Sequence, residues 1–342
     1  MLIKYGKASN DIIDITKRYV LNNKDLLEDQ DRISDIYKKR PLRSHCKVCD
    51  GNITEEGNIF SKFVSHGVEY AICKKCGHVN GKYDDDLEFS NLAYCNKEYA
   101  ERYPEQERKE YEERVKRIYI PKAEFLKEVL LTEGAAGNVL DIGAGAGYFC
   151  SAAKMLDMDI RGVEITEQQV EYANKILGNE VIKQINPDEL IDNIRNTTCN
   201  VVSAIGVLEH IYNLRDILQA IKDNKNIKYF YFSIPLFSFS VFLETAFEHT
   251  YNRQLGGPHT HLFSRESINY MNDEFGFEVV GEWNFGTDIV DLYRLLSLSL
   301  KEQGIEYTNI FESKFISCID EMQEILDKHD FASEIHMVVK SK

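Results

Sequence analysis

The chain has 342 residues, 43% of them hydrophobic and 28% charged, which is enough for one full α/β domain and a smaller module. A formal net charge of −15 works against tight, non-specific binding to nucleic acid, which depends on neutralising phosphates with Lys and Arg. The start, Met1-Leu2-Ile3-Lys4, leads into charged sequence rather than a signal core, and the longest uncharged stretch, Tyr229 to Leu243, is shorter than the ~18 residues of a spanning helix.

Residues 1–40 read as an N-terminal helical segment, with Ile12, Ile13, Ile15, Val20 and Leu21 on one apolar face and Ile33, Ile36 and Tyr37 on another. Lys38, Lys39, Arg40, Arg43 and Lys47 form a basic run, either a solvated face or a local docking patch. Residues 41–90 change character, with short strand-like pieces between two C-x-x-C pairs, Cys46/Cys49 and Cys73/Cys76. Two residues between thiolates let both sulfurs face one ion, and two such knuckles complete a closed tetrahedral zinc site. A closed four-sulfur site leaves no open position, so the expected Zn2+ is structural. Cys95, Cys150, Cys199 and Cys318 stand alone and read as small hydrophobes. With no export signal, this usage points to a reducing, cytoplasmic setting.

Residues 91–132 read as a charged helical connector broken at Pro104 and Pro121. From 133 to 342 the pattern is α/β, with strands expected at 138–142, 159–164, 180–185, 199–205, 228–234, 277–283 and 333–340. Such alternation implies a Rossmann-like, seven-stranded, doubly wound sheet. Two insertions interrupt it, 236–262 and 287–330, and the expectation is that they form an acceptor pocket, with Phe285 to Asp288 at its mouth and Tyr293 and Arg294 lining it. Helix packing or dimerisation is the other reading of 287–330, so a homodimer stays open.

The run Val139-Leu-Asp141-Ile-Gly143-Ala144-Gly145-Ala-Gly147-Tyr148 is a strand entering a glycine turn and then a helix, which lets backbone approach a ligand closely. The dinucleotide fingerprint would need glycine where Tyr148 stands. Asp141, just ahead of the turn, would repel a pyrophosphate but favour an ammonium group, which S-adenosyl-L-methionine carries. Glu164 ends the next strand, 23 residues after Asp141, where a carboxylate can hold ribose hydroxyls. Asn186 follows the third strand, and Gly206-Val207-Leu208-Glu209-His210 ends the fourth.

In this order and spacing, these motifs resemble the class I methyltransferases that use S-adenosylmethionine. The resemblance implies backbone contact of Gly143 and Gly145 with the methionine part, further cofactor contact at Ala144, Gly147 and Gly206, a loop organised by Asp141, ribose at Glu164, adenine near Asn186, and Tyr94, Tyr99 and Tyr103 either covering the cofactor or packed in the core. Together with the cysteine module, the chain also resembles bacterial methyltransferases of nucleotide-linked sugars and surface polysaccharides. In the sugar C-methyltransferases a His-x-His-Leu segment follows the fifth strand, as His259-Thr260-His261-Leu262 does here. Those enzymes carry a glutamate where Thr260 stands, a tyrosine where Pro258 stands, and a further C-terminal domain. The expected acceptor is therefore a sugar-like small molecule, methylated on oxygen or carbon.

The expected catalytic residues are His261, as general base, with Glu209, His210 and His259, since imidazole titrates nearest the working pH. A divalent ion, Mg2+ or Mn2+, is the alternative, because some small-RNA and quinone-pathway O-methyltransferases bind metal through Glu-x-x-Glu-His and a later histidine. Gly206 here replaces the first of those glutamates. An RNA or protein methyltransferase docking through the cysteine module, and an inactive binding partner, are the other readings.

Overall fold

The computed structural model describes residues 1–7, 13, 22–94, 107–305 and 308–341. Its main sheet has eight strands, in the order β1-β11-β12-β9-β8-β5-β6-β7. They are β1 (Leu2–Tyr5), β5 (Asn138–Ile142), β6 (Asp159–Glu164), β7 (Ile182–Gln184), β8 (Val201–Ile205), β9 (Tyr229–Pro235), β11 (Phe277–Phe285) and β12 (Glu334–Ser341). Strand β12 runs antiparallel between β9 and β11, and the other pairings of this sheet are parallel. The seven expected strands are all present, within two residues at each end. Central parallel strands are covered on both faces and so read as unbroken apolar runs, as Tyr229–Pro235 does with six of its seven residues buried.

Helices fill both faces. In Leu214–Asp223 the buried residues Leu214, Ile217, Leu218 and Ile221 fall at the 3.6-residue period and face the sheet. The helix Arg265–Phe275 starts at Ser264, whose hydroxyl accepts from the Ser267 amide at 3.1 Å. Before β5, the helix Arg108–Arg114 passes through a π-helical turn, Val115–Tyr119, into Ile120–Thr132. Pro121 does not break it, because it follows directly on the π-helical turn, where the i→i−4 pattern is already interrupted.

Two corrections concern the N-terminal half. Residues 2–5 are strand, paired with Gly281–Asn284 at the sheet edge, rather than part of a helical segment. Helix occupies Asn23–Tyr37, and of the proposed apolar face only Ile13 is described, buried against Ile289, Val290 and Ile319. Ile12, Ile15, Val20, Leu21, Cys95, Tyr99, Pro104 and Tyr103 lie outside the described residues.

The second sheet is four-stranded and antiparallel, in the order β10-β4-β3-β2, with β2 (Ile59–Ser65), β3 (Val68–Cys73), β4 (Val79–Gly81) and β10 (His261–Leu262). Its fourth strand comes from the insertion after β9, which also contains the helix Phe239–Ala246. The cysteine module is therefore built from two parts of the chain. Cys46, Val48, Cys49, Ile53, Cys73 and Cys76 share one apolar cluster with Leu208, Ile211 and Leu214 of the main domain.

The insertion 287–330 contains the helices Asp288–Glu302, Thr308–Ile316 and Ile319–Lys328. The first packs on Phe239–Ala246 through buried charge. The Asp288 carboxylate accepts from Ser238 and Ser240 hydroxyls at 3.0 and 2.8 Å and from Gln323 at 3.1 Å. Arg294, wholly buried, donates to the Tyr251 carbonyl at 2.6 Å and lies 3.4 Å from Glu244. Tyr293 stacks on Phe311. Thus Asp288 and Arg294 knit the two insertions together, Tyr293 packs within the second, and all three are buried rather than lining an open mouth.

Candidate active site and metal centre

The carboxyl ends of β5, β6, β7 and β8 fall on one edge of the sheet. Between β5 and the helix Tyr148–Met155 the chain turns through Gly143 and Gly145 at φ 64° and 53°, in the left-handed region that favours glycine. A Cβ on Gly143 would lie 2.7 Å from Val207 Cγ2, so the first and fourth loops meet with no room for a side chain. Ala144 N–H donates to the Val163 carbonyl at 3.0 Å, tying the turn to β6.

Glu164 gathers this edge. One carboxylate oxygen accepts from Gly145 N–H at 2.8 Å, and the other from Ile165 and Thr166 N–H at 2.9 Å each. Asp141 lies beneath, its two oxygens facing the Ser203 hydroxyl at 2.6 Å and the Cys150 thiol at 3.8 Å. Burial pushes its carboxyl up to about 7. Asn186 donates through its backbone and side-chain amides to Glu189, at 2.7 and 3.2 Å. Gly206 is exposed at the end of β8.

The glycine turn is covered by aromatic rings. Tyr148 stacks between Tyr111 and Tyr119, with centroids 4.7 and 5.1 Å away, and the Tyr111 hydroxyl donates to the Ala146 carbonyl at 3.1 Å. Sequence reasoning missed Tyr111 and Tyr119. The misplaced signal was Tyr148 itself, an aromatic where a dinucleotide site has glycine. Turn, Glu164 and cover together form a cradle whose bare backbone and single carboxylate fit an amino acid and a ribose.

The four candidate catalytic residues do come together, in two tiers. The ligand atoms of Glu209, His210 and His259 lie within 4.8 Å of one another. His210 and His259 rings are 4.8 Å apart and partly accessible. Each ring is fixed by a backbone carbonyl, His259 Nδ1 by Gln254 at 3.0 Å and His210 by Pro258. Glu209 is buried with its Oε2 unpartnered among the described residues, and burial pushes its carboxyl up to about 8. His261 stands behind them with no exposed surface, its Nδ1 3.0 Å from His78 Nε2. The sequence reading put His261 first as the base. It is buried in β10, which pairs with β4, its Nε2 has no hydrogen-bond partner among the described residues, and burial drives its titration well below the usual histidine range.

A further array was not foreseen. Lys122 Nζ and His336 Nε2 lie 3.2 and 2.8 Å from Glu334 Oε1, and the Tyr231 hydroxyl pairs with His336 Nδ1 at 2.7 Å. Burial would raise Glu334, but Lys122 and His336 outweigh it and hold the carboxyl well below its usual range. Burial, with the Lys122 charge, pushes His336 down to about 4. Glu334 and Lys122 both act electrostatically on Glu209.

In the cysteine module, Cys46 and Cys76 sulfurs lie 3.5 Å apart and Cys49 and Cys73 sulfurs 3.6 Å apart. A tetrahedral ion at about 2.3 Å from each sulfur needs spacings of roughly 3.8 Å, so the donor set fits zinc. Four of the five residues of the basic run beside it are paired: Lys38 with Asp35, Arg40 with Asp86 and Glu88, Arg43 with Asp84 and Asp85, and Lys47 with Asp85, while Lys39 is exposed. A cavity of about 470 Å³ lies along β6 and β7, lined by Arg161, Lys183 and Asp192, and none of the glycine turn or histidine residues reaches it. No helix among the described residues is long and apolar enough to cross a membrane.

Turn, carboxylate and strand order define a class I methyltransferase fold. The sequence model of the methyltransferase domain family matches residues 110–282, half of the chain. The chain belongs to this family, and it is an S-adenosylmethionine-dependent methyltransferase. No curated protein matches it in sequence. Among solved structures it is similar to magnesium protoporphyrin IX methyltransferase of Synechocystis PCC 6803 with bound SAH, at 10% identity and TM-score 0.45 over 73% of this chain and 97% of that one. It is also similar to a SAM-dependent methyltransferase of Archaeoglobus fulgidus, at 18% identity and TM-score 0.40 over 64% and 94% of the two chains. The plantazolicin methyltransferase BpumL in complex with SAH gives 12% identity and TM-score 0.42 over 74% and 93%. At these identities the likeness concerns fold alone.

Proposed function

We propose that this enzyme methylates a small, sugar-like acceptor at the histidine cluster, with the glycine turn and Glu164 holding the cofactor and the four cysteines holding a structural Zn2+. The observation that carries the reading is the pair of partly accessible imidazoles, His210 and His259, set beside the buried Glu209 at the carboxyl edge of β8. S-adenosylmethionine supplies an electrophilic methyl group on sulfur. In transfer to a hydroxyl, the carbon–sulfur bond breaks as the carbon–oxygen bond forms, and the hydroxyl proton passes to an imidazole. Burial pushes both imidazoles below the usual histidine range, so they are neutral at pH 7 and able to accept it. Glu209, protonated below about pH 8, can donate a hydrogen bond to an acceptor oxygen. The net charge of −15 and the largely paired basic run favour a small molecule over RNA.

The test is methyl transfer from labelled S-adenosylmethionine into a cell extract, separated into small-molecule, RNA and protein fractions. Label confined to RNA or protein would overturn the reading. With the small-molecule fraction as substrate, His210→Ala and His259→Ala should each lose ~10²–10⁴-fold in turnover and keep cofactor affinity. A second reading places Mg2+ or Mn2+ on Glu209, His210 and His259, favoured by the closeness of their ligand atoms and the carbonyl that fixes His259. Activity lost to a chelator and restored by either ion would select it.

A further inference from the structure

The two segments that carry the imidazoles, Leu208–Ile211 just after β8 and His259–His261 at the end of the insertion after β9, are far apart in sequence, yet one buried ion pair touches both. Lys47 stands inside the first cysteine knuckle, between Cys46 and Cys49. Its Nζ lies 2.5 Å from Asp85 Oδ2 and donates to the Ile211 carbonyl at 2.8 Å, one residue beyond His210. The same Asp85 oxygen accepts from the Thr260 hydroxyl at 2.9 Å, between His259 and His261. Asp85 Oδ1 takes Arg43, which also donates to the Gly81 carbonyl at 3.3 Å, and Gly81 N–H donates to the Thr260 carbonyl at 2.9 Å. The Lys47 and Asp85 side chains are 3% and 4% exposed.

We propose that Lys47 and Asp85 are positioning residues, which fix the relative placement of His210 and of the His259–His261 segment. The inference rests on the reading that these imidazoles serve methyl transfer. Cohesion alone does not call for the pair. Cys46, Val48 and Cys49 already share an apolar cluster with Leu208 and Ile211, and a buried ion pair adds little net stability over apolar contact. What it adds is direction. An ammonium with three fixed donors and a carboxylate with two acceptor oxygens impose distances on two loop segments that greasy packing would leave free to slide. The knuckle holds Lys47 from the other side, where its own N–H donates to Asn80 Oδ1 at 3.0 Å and Asn80 Nδ2 reaches Cys46 Sγ at 3.5 Å. The cysteine module thereby acts as the backing of the catalytic histidines.

The experiment uses the full chain purified with zinc, with ¹⁵N-labelled histidine rings assigned by single histidine replacements. Lys47→Met removes the donor to Ile211, and Thr260→Val, a milder change, frees the His259–His261 segment alone. Lys47→Met should shift the ring signals of His210, and Thr260→Val those of His259 and His261, while signals of the remote His329 stay in place. Turnover, read as methyl incorporation into the small-molecule fraction of a cell extract, should fall ~10- to 100-fold in kcat in Lys47→Met, with cofactor affinity within about twofold. Ring signals unmoved in both variants would overturn the proposal, and so would moved signals with unchanged kcat alongside inactive His210→Ala and His259→Ala. Moved signals with fully active histidine variants would support the positioning and refute the functional reading instead. If Lys47→Met does not fold, Thr260→Val alone decides in the same way.

Discussion

Asp141 offers a pH test of how the cofactor edge is built. Burial raises its carboxyl from 3.8 to about 7, against the opposing hydrogen bonds from Ser203 and Cys150. Between those values the folded chain holds a proton that the unfolded chain has released. Stability is therefore full below pH 3.8 as far as this group is concerned, and is lost as pH rises towards 7. At about 1.36 kcal/mol per pH unit, the penalty by pH 8 is ~4 kcal/mol. Asp141→Asn keeps the shape and an oxygen for Ser203, but it cannot ionise. The variant should match wild type near pH 4 and exceed it by up to ~4 kcal/mol at pH 8. Urea unfolding across that range can follow Trp283, the single tryptophan and 1% exposed. Saturating SAH should narrow the gap, since an ammonium group above the turn would lower the Asp141 carboxyl in wild type. A difference between the two proteins that does not change with pH would refute the reasoning, because it would mean that the carboxylate is already compensated.

Three further outcomes follow from the same geometry. Glu164→Ala removes the acceptor of three backbone N–H groups and should weaken SAH binding ~10- to 100-fold by calorimetry, and unchanged affinity would move ribose recognition elsewhere. Elemental analysis should find one zinc per chain, and chelation should lower the melting temperature of the whole chain in a single calorimetric transition, because the cysteines share a cluster with Leu208 and Leu214. A separate low-temperature transition would show the module to be independent. Arg294→Met leaves the buried Glu244 without its guanidinium and Asp291 with Arg253 alone, and should cost about 3–5 kcal/mol by urea unfolding. A stability matching wild type would mean that Glu244 is neutral in the fold.

Much of the main domain was legible because its signals are local. The runs 138–142 and 229–235 are strands because they are mostly apolar between turn formers, and the glycines after Asp141 mark a turn that side chains cannot enter. The cysteine pairs carry their own spacing. Strand β1 was not legible, because four residues with a lysine among them show no alternation, and their pairing with Gly281–Asn284 spans nearly the whole chain. The position of His261 was not legible for a related reason. A two-residue strand has no period, and its partner His78 stands 183 residues away. Lys122, Glu334 and His336 meet by the same route, across 212 residues, with only the alternate spacing of Glu334 and His336 on β12 as a clue.

These long-range contacts bear on what the cysteine module is for. A docking module would be expected to present charge or apolar surface outward and to join its partner domain through a sparse, polar interface. Here Arg43 and Lys47 turn inward onto Asp85, Lys38 and Arg40 pair with surface acids, and the cysteines share one apolar cluster with the main domain. The main domain in turn supplies β10 to complete the module's sheet, and that strand carries His261. Each part therefore lacks a strand or an anchor without the other. The proposed acceptor site sits where the two exchange them, so changes in the module are expected to act on it through Lys47 at the end of β8 and through His78 at His261.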